Sequence, residues 1–325
     1  MIGRRQLVLL LAASALVAPV ASLSQPAKVW RIGVLENTSM VLNGANLGAF
    51  VRGMQELGYV EGRNFVIDYR SADGRYDRFP ALAAEMIRGN VDVIVTRGTP
   101  ATMAAAKVSS RVPIVVTATS EPLLFAATLA RPGGNVTGLV SLTIELAAKR
   151  VQLLKEMNPK IARLAVFLDM SNAASPPNWK AIESAAQSSR MQALLVDVRR
   201  GEDLDRAFDA AVKWRADALH VGQEAFAQAN ASRIVALATK HRLPATYPSV
   251  EFVENGGLVS YGVSYPDLYR RAASYVDKIL KGAKPGDLPI EQATSFDLVI
   301  NVKAARALGL GIPPSLLVRA DRVVQ

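Results

Sequence analysis

The sequence predicts an α/β protein of two similar lobes, each with a parallel sheet, joined near Val140–Glu145. Three observations lead there. Short, β-branched, apolar runs alternate with amphipathic stretches of helical period, the pattern of right-handed βαβ units. The alternation restarts at Ile144 with the same architecture, although no sequence repeat accompanies it. The length of 325 residues, half of them apolar, suits two domains with a sizeable core.

In chain order, Met1–Ser22 reads as a cleaved export signal. Arg4 and Arg5 form its positive region, Leu7–Ala21 is an apolar run shorter than a membrane span needs, and small residues follow. The arginine pair is also compatible with twin-arginine export. In the first lobe, Val29–Leu35, Asn64–Tyr69, Val91–Val95, Pro113–Thr117 and Val136–Val140 read as strands. Asn46–Leu57, Arg78–Arg88 and Ala101–Lys107 read as helices, with Gly58 and Gly62 punctuating the turn after the first. Val91–Pro122 is the clearest stretch, because both of its strands are apolar throughout, as parallel strands covered on both faces are. Each runs into a polar turn. Arg97-Gly98-Thr99-Pro100 predicts an N-cap at Thr99 with Pro100 first in the helix, and Thr119-Ser120-Glu121-Pro122 repeats the pattern.

The second lobe begins with a helix over Ile144–Met157. Strands follow at Arg163–Leu168, Gln192–Val196, Ala218–Val221, Leu243–Thr246 and Leu258–Gly262, with helices at Asn178–Ser189, Asp203–Trp214 and Ala225–His241. Pro266–Lys281 is a strong helix with Leu268, Ala272, Tyr275, Val276 and Ile279 on one face. Gly282, Pro285, Gly286 and Pro289 make a stiff crossing to a late strand at Phe296–Asn301, a short helix at Val302–Leu308 and a final extended-to-helical stretch at Ile312–Ala320. The expected lobes are residues 28–142 with 265–285, and residues 143–264 with 286–325.

Composition removes several function classes. The chain has no cysteine, hence no disulfide, thiol nucleophile, thiolate metal site or lipid-modified cysteine. Only His220 and His241 could serve a histidine-rich metal site, so neither metal nor cofactor is expected. His220 ends a buried strand and reads as structural. The net charge of +10 is scattered along helices without aromatic interleaving, which argues against nucleic-acid binding. The chain lacks a G-x-S-x-G elbow, a P-loop, an H-E-x-x-H motif and a complete G-x-G-x-x-G, and GGNVTG at Gly133–Gly138 has the wrong spacing for a dinucleotide. No catalytic residues are expected, although composition alone leaves a Ser-His-Asp site open.

Five segments in order resemble the ABC-transporter substrate-binding family that includes tryptophan- and tyrosine-binding lipoproteins. They are RIGVLENTS at Arg31–Ser39, MQELGYVEGRNFVIDYR at Met54–Arg70, VDVIVTRGTPA at Val91–Ala101, LARPGGNVTGLVSL at Leu129–Leu142 and FDLVINVKAARALGLGIPPSLLVRAD at Phe296–Asp321. The resemblance implies a periplasmic-binding-protein fold of the first type: two Rossmann-like lobes, three crossovers and a small-molecule ligand in the cleft. It also implies a membrane permease and an ATPase as partners. Two departures stand out. Glu121-Pro122 replaces the family's usual Asp-Pro, which bears on the ligand, and the missing signal-peptide cysteine argues for a freely diffusing periplasmic protein; a monomer is expected.

Ligands of open α/β sheets sit beyond the carboxyl ends of the strands. Those ends nominate Glu36, Asn37, Gly98, Thr99, Thr119, Ser120 and Glu121 in the first lobe, with Ser141 near the hinge. The second lobe offers Asp169, Ser171, Asn172, Gln223, Glu224, Tyr247 and Tyr261. Such a wall suits a small polar or carboxylate ligand, an amino acid or aromatic acid, with a carboxylate at the helix ends near Thr99 and Ser120 and an ammonium or hydroxyl at an acidic residue. Thr99, Ser120 and Ser171 serve equally well as caps, and Tyr247, just before Pro248, equally well as core. An exported enzyme or a sensory module for a small anionic metabolite is the competing reading.

Overall fold

The computed structural model describes residues 28–325, so the export signal read at Met1–Ser22 lies outside the described residues. The first lobe runs β1 (Trp30–Glu36), α1 (Gly44–Glu56), β2 (Phe65–Ser71), α2 (Phe79–Arg88), β3 (Val93–Thr96), α3 (Thr99–Val108), β4 (Ile114–Thr119) and β5 (Val136–Val140). The second runs α4 (Thr143–Met157), β6 (Arg163–Leu168), α5 (Ser175–Ser188), β7 (Gln192–Asp197), α6 (Leu204–Lys213), β8 (Ala218–Val221), α7 (Ala225–Ala229), α8 (Ala231–Lys240), β9 (Ala245–Tyr247), α9 (Val250–Glu254) and β10 (Val259–Val263). The remainder is α10 (Tyr265–Leu280), β11 (Glu291–Gln292), β12 (Phe296–Asn301), α11 (Val302–Ala307), α12 (Pro314–Arg319) and β13 (Arg322–Val324).

The strands form two sheets. The first is parallel in the order β11-β5-β4-β3-β1-β2. The second has the order β13-β12-β10-β9-β8-β6-β7, parallel except where β10 meets β12. In each, the winding reverses once near one edge, between β1 and β3 and between β6 and β8. These reversals open crevices at the strands' carboxyl ends.

Burial follows the apolar patterning. One face of the first sheet packs Ile32, Val34, Val93 and Val95 against Phe50 and Met54 of α1 and Tyr269, Ala272 and Val276 of α10. The other face packs Ile94, Ile114 and Val116 under α2 and α3. In the second lobe, Ala165, Phe167, Leu219 and Val221 meet α6 and α8, while Leu164, Val166 and Leu168 meet α4 and α5. The face of α10 predicted from Leu268, Ala272, Tyr275, Val276 and Ile279 is buried at every position.

Three segments cross between the lobes: Ser141–Leu142, Ser264 and Ala293–Ser295. The second and third are tied together by the Ser264 amide donating to the Ser295 carbonyl at 3.2 Å. Leu142 holds φ 52, the left-handed region, at the first crossing. The connector after α10 stays with the first sheet further than the glycines and prolines foretell. Thr137 donates to the Leu288 carbonyl at 2.8 Å, and β11 pairs with β5 before the chain leaves. The expected helix Ala225–His241 is two helices, because the Asn230 side chain donates to the Phe226 carbonyl and breaks the backbone at φ −119, ψ 24.

Candidate functional site

Several strand ends hand polar side chains into the space between the lobes. At the α3 turn the N-cap is Gly98, with φ 84, rather than Thr99. Glycine reaches that conformation without strain, and the Thr99 hydroxyl is freed to meet Thr119 Oγ1 at 3.0 Å. Thr119 in turn accepts the Glu121 amide at 3.3 Å, and Ser141 donates to the Thr119 carbonyl at 3.2 Å. Ser141 and Thr143 share a 2.8 Å hydrogen bond across the first crossing, and Thr143 donates to Gln223 Oε1 at 3.3 Å. A run of hydroxyls thus follows the edge of the first sheet into the second lobe.

Opposite it, Glu224 follows β8. One carboxylate oxygen accepts from Ser175 at 2.8 Å, and the other from Asn172 at 2.9 Å and the Tyr76 hydroxyl at 2.7 Å. Tyr76 comes from the first lobe and also accepts the Ala225 amide at 3.0 Å. Asn37, at the end of β1, makes a second bridge by donating to Gln228 Oε1 at 2.8 Å. Burial raises Glu224 to about 7 against the pull of its three donors. Burial likewise raises Glu36 to about 7, and one Glu36 oxygen accepts the Asn37 amide while the other is buried without a partner.

The cavity between the lobes is about 30 Å³, room for about a water molecule. It brings together Asn37, Gly98, Thr99, Ser120, Ser141, Asn172, Gln223 and Glu224 of the predicted wall. Thr119 stands directly behind Thr99, and Glu36 behind Asn37. The other five lie elsewhere. Asp169 and exposed Ser171 cap their own turn. Glu121 is half-buried outside the cavity, its carboxyl raised by burial and by Glu145. Tyr247 is sealed in the second core, stacked on Phe252 at 4.9 Å between ring centres. Tyr261 lines a separate surface concavity with Lys149 and Phe296.

The wall also holds Tyr76, Arg97, Asn178 and Gln228, which strand-end reasoning did not select. Arg97 stands in the Arg97-Gly98-Thr99-Pro100 turn, one residue beyond β3, and was legible there. Gln228 lies one helical turn after Glu224. Tyr76 arrives through a loop after β2, stacked on Phe79, and carries no periodic signal. A second interlobe cavity of about 230 Å³ adjoins the first through Arg97 and Gln228 and is walled by Leu42, Ala231, Ser249, Glu251 and Phe252 among others. A larger concavity, about 890 Å³, lies between α8 and α11; it shares no residue with the first cavity and meets the second at Glu254 and Asn255. Among the described residues, no group of three or more acidic or histidine side chains is placed to hold a metal ion.

Over residues 33–324 the chain matches the family described as ABC transporter substrate binding protein. The Tyrosine-binding protein of Clostridioides difficile (strain R20291) is 23% identical over 264 residues, 80% of this chain and 75% of that protein. Among solved structures, a conserved domain protein from Vibrio cholerae O1 biovar El Tor superposes with a TM-score of 0.84 at 26% identity, over 91% of this chain and 100% of that one. An ABC domain from Streptococcus pneumonia in complex with L-Trp gives 0.82 at 24% identity, over 91% and 100% of the two chains. The shared fold is the two-lobed one of type I periplasmic binding proteins.

Proposed function

The chain belongs to the ABC transporter substrate binding protein family, and on that premise we propose that it captures a small polar or carboxylate ligand between its lobes for an importer. Amino acids and aromatic acids are the leading classes, in keeping with the tyrosine and tryptophan bound by its relatives. The receptor acts outside the cytoplasm, in the periplasm, as a monomer that passes its cargo to a membrane permease driven by an ATPase.

The observation that carries this reading is the polar cavity where the winding reversals of both sheets face each other. The lobes are bridged there by Tyr76 to Glu224 and by Asn37 to Gln228. Such bonds contribute roughly 1 kcal/mol each, so closure without ligand is readily reversed. A cavity of about 30 Å³ admits no amino acid, so entry requires the lobes to part about the three crossings. A ligand that touches both walls then favours the closed state by its extra contacts.

Thermal unfolding of the mature protein against amino acids, aromatic acids, dicarboxylates and sugars tests the assignment. A ligand at a hundred times its Kd adds about 2.7 kcal/mol, a shift of several degrees. The expected result is a clear stabilisation by one class, with the ligand recovered chemically unchanged. Consumption of the stabilising compound would contradict a receptor.

A further inference from the structure

One buried cation stands outside the hydrogen-bond network of the cleft. Arg97 is only 4% exposed, and its guanidinium carbon lies 3.7 Å from the centre of the Tyr265 ring. Among the described residues it has no carboxylate within 4.0 Å, Tyr265 is its packing and polar neighbour, and Nε is sealed from solvent without a hydrogen-bond partner. Stacking on a ring occupies the face of a guanidinium and leaves its in-plane donors unspent. A buried cation with unspent donors is costly unless something accepts from it. Arg97 lines both interlobe cavities, so those donors face the space where a ligand would sit. The N-terminal end of α3, a ten-residue helix, contributes its positive dipole end to the same place.

The surrounding charges limit what can be accepted. Glu36 and Glu251 lie close enough to act on Arg97 electrostatically, and each carries a buried oxygen without a partner. A second negative charge on the ligand would meet them without a second cation. The adjoining cavity of about 230 Å³ offers Leu42 and Phe252 as apolar wall.

We propose that Arg97 and the start of α3 form an anchor for a single carboxylate, so that the ligand is a monoanionic or zwitterionic acid whose body extends along Leu42 and Phe252. The assignment rests on the interlobe reading given above. It makes Arg97 the residue that separates acids from their amides, and Glu36 with Glu251 the pair that disfavours dicarboxylates.

The test is calorimetric titration of the full mature protein with matched probes: amino acids and arylalkanoic acids, their primary amides, the corresponding dicarboxylates, and glucose. Loss of a charged hydrogen bond corresponds to about 10- to 100-fold in Kd. The bound acids should exceed their amides by that factor, dicarboxylates should bind more weakly, and Arg97→Gln should abolish the acid-to-amide ratio. Arg97→Lys, with its charge kept and its fork lost, should restore part of that ratio. Circular dichroism and Tm of both variants separate this from unfolding. A neutral or dianionic probe that binds best and compacts the protein would overturn the anchor while leaving the receptor reading intact. Retention of the ratio in folded Arg97→Gln would do the same. No binding by any probe would remove both.

Discussion

Two buried carboxyls, Glu36 and Glu224, flank the cleft from opposite lobes, and burial raises each from an ordinary 4.5 to about 7. A carboxyl raised on folding favours the folded state while it is protonated. That contribution is complete below about 4.5 and is lost as pH rises through 7. The Glu224→Gln variant stays neutral, so its stability relative to the parent should grow between these limits and level off above them. The expected gain is on the order of 3 kcal/mol, read as the Tm difference between the two proteins across the pH range. A difference independent of pH would mean that Glu224 titrates normally. Residues that end strands were legible from the sequence because a strand's end fixes where its next side chain points. Asn37, Gly98, Thr99 and Glu224 were found that way. Tyr76 was not, since the segment after β2 and its packing on Phe79 decide its place, and Tyr247, left open between pocket and core, is a core residue.

At the scale of elements, the apolar periodicity of the helices and the β-branched runs of the strands were readable wherever both faces or one stripe are buried. The short pieces were not. β11 is two residues held by pairing with β5, α9 is five residues, and the break at Asn230 depends on one side-chain bond. The packing of α10 on α1 depends on an absent side chain. A Cβ on Gly53 would meet the Arg270 carbonyl at 2.8 Å and the Ala273 methyl at 2.9 Å, both on the facing helix. Gly53→Val should therefore cost roughly 1–3 kcal/mol by overpacking, visible as a lowered Tm with secondary structure retained below the transition. An unchanged Tm would show that α10 can shift away at no cost.

For the whole molecule, the fold places both winding reversals face to face and leaves the chain three narrow crossings on which to bend. Arg97 stacks on Tyr265, the first residue of α10 after the second crossing, so an anion at Arg97 sits against the element that a hinge would move. The hydrogen bonds that bridge the lobes, Tyr76 to Glu224 and Asn37 to Gln228, join side chains that a parted cleft would free, which suits an equilibrium that a ligand can shift. The most direct measurement is small-angle X-ray scattering of the mature protein with and without a saturating ligand from the thermal screen. The radius of gyration should fall on binding as the open population closes. Superimposable profiles at saturation would contradict capture by closure of the two lobes.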